Sequence, residues 1–164
     1  MVEQPTAKMP KSHRDSDVFH RFPRAGIRTA IGGEGPYIVD RSGNRYIDAS
    51  SGAAVSCLGH GHPRIEAAMK RQIEQLPFAH TTFFTSDAAE ELAALLAESA
   101  PGDLSKVYFT SGGSEAVETA LKLARQYFVE RGETSRHRII SRSQSYHGNT
   151  LGALAAGGNH WRRA

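Results

Sequence analysis

The residues of this chain best suited to chemistry are Gly112, Gly113 and Ser114, set between an apolar run at 107–110 and a segment of helical periodicity that starts at Ser114. Val107, Tyr108, Phe109 and Thr110 are β-branched or aromatic and suit a strand, whereas two successive glycines let a backbone approach a ligand with no side chain in the way. The first turn of the helix would offer unpaired N–H groups at the positive end of its dipole, a setting that favours an anion, and the Ser114 hydroxyl would add a hydrogen bond. The chemistry this pattern suits is the holding of a phosphate. It suits equally a plain strand-to-helix turn capped by Ser111 or Ser114, and local chemistry leaves both open. Two commoner phosphate motifs are excluded: neither the Gly-Lys-Ser/Thr ending of a Walker loop nor the three spaced glycines of a dinucleotide fingerprint is present.

Such a turn needs a frame to hold it. The helix that follows runs from Ser114 to about Arg131, with Val117, Leu121, Ala124 and Phe128 on one apolar stripe and Gly132 as its stop. His137, Arg138, Ile139, Ile140 and Ser141 then read as a second short strand. Strand, helix and strand in that order describe a βαβ unit with a parallel pair. A loop containing Tyr146, His147 and Gly148 comes next, and then a Gly/Ala-rich helix at 150–156. Upstream, two β-prone runs around Ser42, Gly43 and Asn44 within 36–48 predict a hairpin, while Gly32, Gly33 and Gly35 punctuate its entry. Ile65, Met69, Ile73 and Leu76 recur at helical spacing after Pro63, which suits a first helical turn. Another helix is expected at 87–99, opened by a capping box of Asp87 and Glu90, striped by Leu92, Leu95 and Leu96, and ended by Pro101 and Gly102.

Composition narrows the class. The 164 residues, 39% hydrophobic and 23% charged, suit a soluble globular chain, and a net charge of +3 without a basic tract gives no reason to expect nucleic acid. The single Cys57 excludes an intrachain disulfide, and its small apolar neighbours suit packing rather than redox chemistry. No apolar run reaches the roughly 18 residues of a membrane span, and residues 1–20 lack the apolar middle of a secretory signal. A cytoplasmic protein with no membrane partner is expected, its first residues forming a mobile arm or one that becomes ordered only against a partner. His60 and His62 have no further ligand cluster to complete a metal site, and none is expected. Two parallel strands cannot make a sheet covered on both faces, so the chain reads as the N-terminal part of a longer protein, loosely packed on its own.

Four motifs in order carry a specific resemblance: residues 37–48 of the hairpin; Ser51 and Gly52 with Leu58-Gly-His-Gly-His-Pro63; Thr110-Ser-Gly-Gly-Ser-Glu-Ala-Val117; and Tyr146-His-Gly148. Together, over about residues 22–164, they resemble the N-terminal portion of the class III aminotransferases, pyridoxal-phosphate enzymes of fold type I, near the omega-transaminase branch. The resemblance implies an incomplete α/β fold of that type, comprising the N-terminal part of the small domain and the first βαβ unit of the large domain. Its divisions would be an arm at 1–21, small-domain residues at 22–78 and the truncated start of the cofactor domain at 79–164.

By position, the resemblance assigns Gly113 and Ser114, with Gly112 beside them, to the phosphate of pyridoxal 5′-phosphate. Tyr146 would lie against the pyridine ring and His147 would shape the ring pocket. Phe22, Ala54 and Phe84 fall where related transaminases line the substrate pocket, and Phe84 would reach the neighbouring subunit's site in a homodimer. For Phe84, as for Phe83, packing in a core or at a dimer interface is the competing role. Ala54 departs from the large aromatic residue some omega-transaminases carry, which leaves room for a bulkier substrate. The expected activity is amino transfer from an amine or amino acid to a 2-oxo acid. An aminomutase of the same fold, or a non-catalytic fragment that binds phosphate or assembles with a partner, are the alternatives. The family's Schiff-base lysine, the acidic partner of the pyridinium nitrogen and the Thr donated by the other subunit would lie beyond residue 164. Lys106 and Lys122 are expected to face solvent and cannot replace that lysine, so the chain alone is expected to be inert.

Overall fold

The computed structural model describes residues 16–21 and 26–163. They fall into two compact units that divide between His80 and Thr81. Of the expected N-terminal arm, residues 1–15 lie outside the described part, as does Phe22. Residues 16–21 hold a short turn in which Ser16 Oγ accepts from the Val18 N–H at 3.2 Å and lies 3.1 Å from His20 Nε2.

In the first unit, strands β1 (Ala30–Glu34), β2 (Tyr37–Asp40) and β3 (Arg45–Ile47) form one antiparallel sheet in the order β1-β2-β3. The hairpin of β2 and β3 follows the sequence reading, with Tyr37 opposite Ile47 and Val39 opposite Arg45. Its turn is organised by Asp40, a 5% exposed carboxylate that accepts from the backbone N–H groups of Ser42 and Asn44, each at 2.9 Å, and from the Tyr46 hydroxyl at 2.8 Å. Asn44 Nδ2 adds bonds to both carboxylate oxygens. The Asn44 side chain is the largest cause, ahead of Tyr46, of an Asp40 pKa pulled down from 3.8 to about 2.

Strand β1 is absent from the sequence reading, which took its glycines as punctuation. Pairing uses only the backbone, and here the glycines serve close approach: a Cβ on Gly33 would stand 2.6 Å from the His60 Cβ. Gly35 and His60 exchange both backbone hydrogen bonds, at 2.9 and 2.8 Å. The small-residue stretch after the hairpin is also more structured than expected. In α1 (Ser51–Ala54), Ser51, Gly52, Ala53 and Ala54 all have positive φ, between 47° and 71°, making a left-handed turn closed by the Val55 N–H on Ser51 O at 2.7 Å. Asp48 clamps the segment that follows, accepting from Ser56 Oγ at 2.9 Å and from His60 Nε2 at 3.0 Å. Helix α2 (Pro63–Gln75) starts, as expected, with its proline in the first turn.

In the second unit, α3 (Asp87–Ser99) has the expected span but a different cap. Ser86 is the N-cap, its Oγ accepting from the Ala89 N–H at 3.3 Å, and Glu90 takes the Thr85 hydroxyl instead of closing a box with Asp87. Asp87 already has helical geometry, so the extended residue before it takes the capping role. Helix α4 (Gly113–Glu130) ends in a Schellman arrangement, with Gly132 at φ +76°, its N–H on Val129 O, and the Glu133 N–H on Phe128 O at 2.8 Å. Helix α5 (Leu151–Ala156) matches expectation, whereas α6 (His160–Arg163) does not appear in the sequence reading.

The expected parallel pair is not formed. Residues 107–110 and 137–141 flank α4 in βαβ order, but no ladder joins them, and the three-stranded sheet of the first unit is the only sheet among the described residues. A strand is defined by a neighbour about 4.8 Å away, and no described backbone stands there. For the same reason the α4 stripe is not a buried core: Val117, Leu121 and Phe128 are half-buried and Ala124 is exposed. The tightest packing in this unit lies where α5 meets α4, around Gly148, Ala153 and Gly157, all buried.

Candidate functional site

Gly112 is the N-cap of α4, and the first helical bond runs from the Ala116 N–H to Gly112 O at 3.0 Å. The amides of Gly113, Ser114 and Glu115 therefore precede any intrahelical acceptor and lie at the positive end of an 18-residue helix. No side chain caps this end. Ser111 turns its hydroxyl and its N–H to the Glu115 carboxylate in the first turn of the helix, the hydroxyl being the larger cause of a lowered Glu115 pKa. A Cβ added to Gly112 or Gly113 would meet no atom within 4 Å, so the space over both is open. These features fit a phosphate monoester: open backbone, unpaired amides and a hydroxyl at one point.

The loop that carries Tyr146 and His147 is fastened at two places, one to this turn and one to the segment after α5. On one side, the Asn149 N–H donates to Ser114 Oγ at 2.9 Å, and Gly148, at φ +136°, packs so closely that a Cβ there would stand 2.7 Å from the same oxygen. On the other, the Gly158 N–H donates to Ser145 O and Ser145 Oγ, both at 3.1 Å, and the Gln144 N–H returns to Gly158 O at 3.2 Å. A Cβ on Gly158 would fall 2.0 Å from Arg142 O, so glycine is required at that crossing. Tyr146, 63% exposed, sits between the two fastenings with the Arg162 guanidinium 5.0 Å from its ring centroid. His147 beside it is half-buried.

Gly112, Gly113, Ser114, Tyr146 and His147 thus belong to one construction within the second unit. Phe84 lies in the same unit, 67% exposed, on the segment before α3. Ala54 belongs to the first unit, exposed on the left-handed turn, where Cys57 Sγ donates to its carbonyl at 3.0 Å. Three residues of the second-unit construction escape the sequence reading: Asn149, Glu118 and Arg162, whose guanidinium also donates to Asn149 Oδ1. Glu118 alone left a signal there, because it stands four residues after Ser114 on the same helix face.

Residues 26–163 match the family model "Aminotransferase class-III". The chain belongs to the class III aminotransferase family. That family is pyridoxal-phosphate-dependent and of fold type I. Over 130 residues the chain is 46% identical to the uncharacterized aminotransferase YodT of Bacillus subtilis, covering 79% of this chain and 29% of that protein. Among solved structures, a thermostable (S)-enantioselective omega-transaminase from Thermomicrobium roseum superposes with a TM-score of 0.80 at 40% identity, over 87% of this chain and 32% of that one. The PMP-bound form of an aminotransferase from Vibrio fluvialis superposes at 0.83 and 31% identity, over 91% of this chain and 34% of that one. This class III aminotransferase chain therefore spans about a third of the length of the relatives it matches.

Proposed function

We propose that this chain supplies the phosphate cup and one ring face of a pyridoxal-phosphate-dependent transaminase, which in the complete protein moves an amino group from an amine or amino acid to a 2-oxo acid. The observation that carries the proposal is the fastening of the Tyr146 loop to Ser114, the residue at the open end of α4. In this reading the amides of Gly113 and Ser114 and the Ser114 hydroxyl bind the phosphate. The Tyr146 ring lies on a flat, electron-poor heterocycle, and His147 bounds the pocket beside it. Bound pyridoxal phosphate supplies an electron-accepting ring that stabilises charge at the substrate α-carbon. Moving the proton at that carbon needs a lysine amine, and neither Lys106, ahead of the 107–110 run, nor Lys122, two turns along α4 from Ser114, belongs to the turn or to the Tyr146 loop. We therefore expect the 164 residues alone not to turn over.

The same reading places Phe22, Ala54 and Phe84 along the substrate pocket of a cytoplasmic homodimer, with Phe84 reaching the partner's site. The methyl side chain of Ala54 leaves room there for a bulky substrate. Among the described residues, no helix is long and apolar enough to cross a membrane.

The test is product analysis on the complete protein with pyridoxal phosphate, a labelled amine donor and a 2-oxo acid. Appearance of the label in the acceptor supports the proposal. Isomerisation of a single substrate would instead make the protein an aminomutase, and failure to bind the cofactor would leave an assembly role. Steady turnover by the 164-residue chain would overturn its expected inertness.

A further inference from the structure

Glu118 lies one helical turn beyond Ser114, half-buried, and projects from α4 to the start of α5. Its Oε1 accepts from the Gly152 N–H at 2.7 Å and the Ala153 N–H at 3.3 Å. Helix α5 has no cap of its own, because the side chain at its N-cap, Thr150, makes no capping hydrogen bond. The amides of its first turn are satisfied instead by a carboxylate from another helix. The contact also excludes side chains: a Cβ on Gly152 would stand 2.5 Å from Glu118 Oε2. The carboxylate is held ionised, its pKa lowered first by the Thr150 hydroxyl and then by the Gly152 N–H, with Lys122 contributing a favourable charge from the next turn of α4.

The consequence falls on the loop. Residues 146–150 run between the Ser145–Gly158 tie and α5, and both ends of α5 are thereby fixed: Glu118 holds its start, and Gly158 lies just past its end. We propose that Glu118 is a positioning residue for the cofactor ring, holding α5 against α4 so that Tyr146 and His147 keep their place beside the phosphate turn. This inference rests on the reading of Gly112, Gly113 and Ser114 as the phosphate cup. The Glu118 carboxylate is taken up by the α5 amides and in this reading holds neither phosphate nor ring. It should therefore affect ligands that have a ring and spare those that have only a phosphate.

The experiment titrates the complete apo-protein with pyridoxamine 5′-phosphate, followed by calorimetry and by the circular dichroism induced in its absorption band, and separately with inorganic phosphate, followed by phosphorus NMR. Glu118→Ala is expected to weaken pyridoxamine phosphate about 10-fold and to diminish the induced dichroism, the scale of losing a charge-assisted hydrogen bond. Inorganic phosphate should stay within about 2-fold, and Glu118→Gln, which keeps an acceptor oxygen, should restore pyridoxamine phosphate to within about 3-fold of wild type. Should Glu118→Ala fail to fold, Gly152→Ala disturbs the same contact from the α5 side and must act in the same direction. A lowered melting temperature with unchanged pyridoxamine phosphate affinity and dichroism would overturn the proposal, as would equal loss of both ligands. Failure of the wild-type protein to bind pyridoxamine phosphate at all would instead remove the cup, and this inference with it.

Discussion

The Asn149 backbone N–H donates to Ser114 Oγ across 2.9 Å, joining the loop after Tyr146 to the first turn of α4. A hydroxyl has one proton and two lone pairs, so accepting from Asn149 orients the group without using its proton. That proton remains for an anion seated over Gly112 and Gly113. In the proposed reading one side chain serves both the scaffold and the ligand.

Replacing Ser114 with Ala should show both roles. The Asn149 N–H loses its acceptor and stability should fall by about 1 kcal/mol, the ordinary net value of a hydrogen bond, measurable by urea unfolding. Pyridoxamine phosphate should bind the complete protein about 10-fold more weakly by calorimetry. Undiminished affinity would mean that the phosphate is held elsewhere.

Two glycines of the second unit should respond in opposite ways to alanine. At Gly158 the new Cβ meets Arg142 O at 2.0 Å, so Gly158→Ala should destabilise by about 1–3 kcal/mol and raise hydrogen exchange at residues 144–145. At Gly112 the backbone is extended, with φ −175°, and the new Cβ meets nothing within 4 Å. Gly112→Ala should change stability by less than about 1 kcal/mol yet weaken inorganic phosphate measurably, because the methyl enters the space proposed for the anion.

Acid should loosen the hairpin late. The Asp40 carboxyl is more acidic in the folded chain, at about 2, than its ordinary 3.8, so between those values the unfolded chain binds the extra proton. Stability from Asp40 is therefore complete above about pH 4 and is lost as the pH falls through about 2. An acid titration followed by the tyrosine signals of Tyr37 and Tyr46 should show this slope, and Asp40→Asn should flatten it.

Ala53 should be better as glycine. At φ 62° and ψ 52° it occupies the left-handed region, where an L side chain costs about 1–2 kcal/mol and glycine little. Ala53→Gly should raise stability by up to about 1 kcal/mol once glycine's greater unfolded-state entropy is subtracted, as read by chemical denaturation.

The longer helices were legible because each carries its own pattern: Ile65, Met69 and Ile73 mark α2, and Leu92, Leu95 and Leu96 mark α3. The β2–β3 hairpin was legible from Ser42, Gly43 and Asn44. Strand β1 was hidden because its glycines serve an approach by His60, a contact between segments far apart in sequence. The apolar runs at 107–110 and 137–141 have strand composition, but pairing belongs to neighbours and not to a segment alone. In the candidate site, Gly112, Gly113, Ser114, Tyr146 and His147 were singled out from local pattern and resemblance. Glu118 and Asn149 were not, since one acts through the amides of another helix and the other through its own backbone, where residue type leaves no trace.

The bonds of Asn149 to Ser114 and of Gly152 to Glu118 also set an order of events during synthesis. Asn149 lies 35 residues after Ser114 and Gly152 lies 34 after Glu118, so α4 leaves the ribosome well before anything can cover its open end. A helix of this kind forms in about a microsecond, whereas closing the intervening loop carries an entropic cost that must be met before any contact is gained. In the proposed reading the phosphate turn is first a bare helix end, and it is covered only once the chain has grown past residue 152.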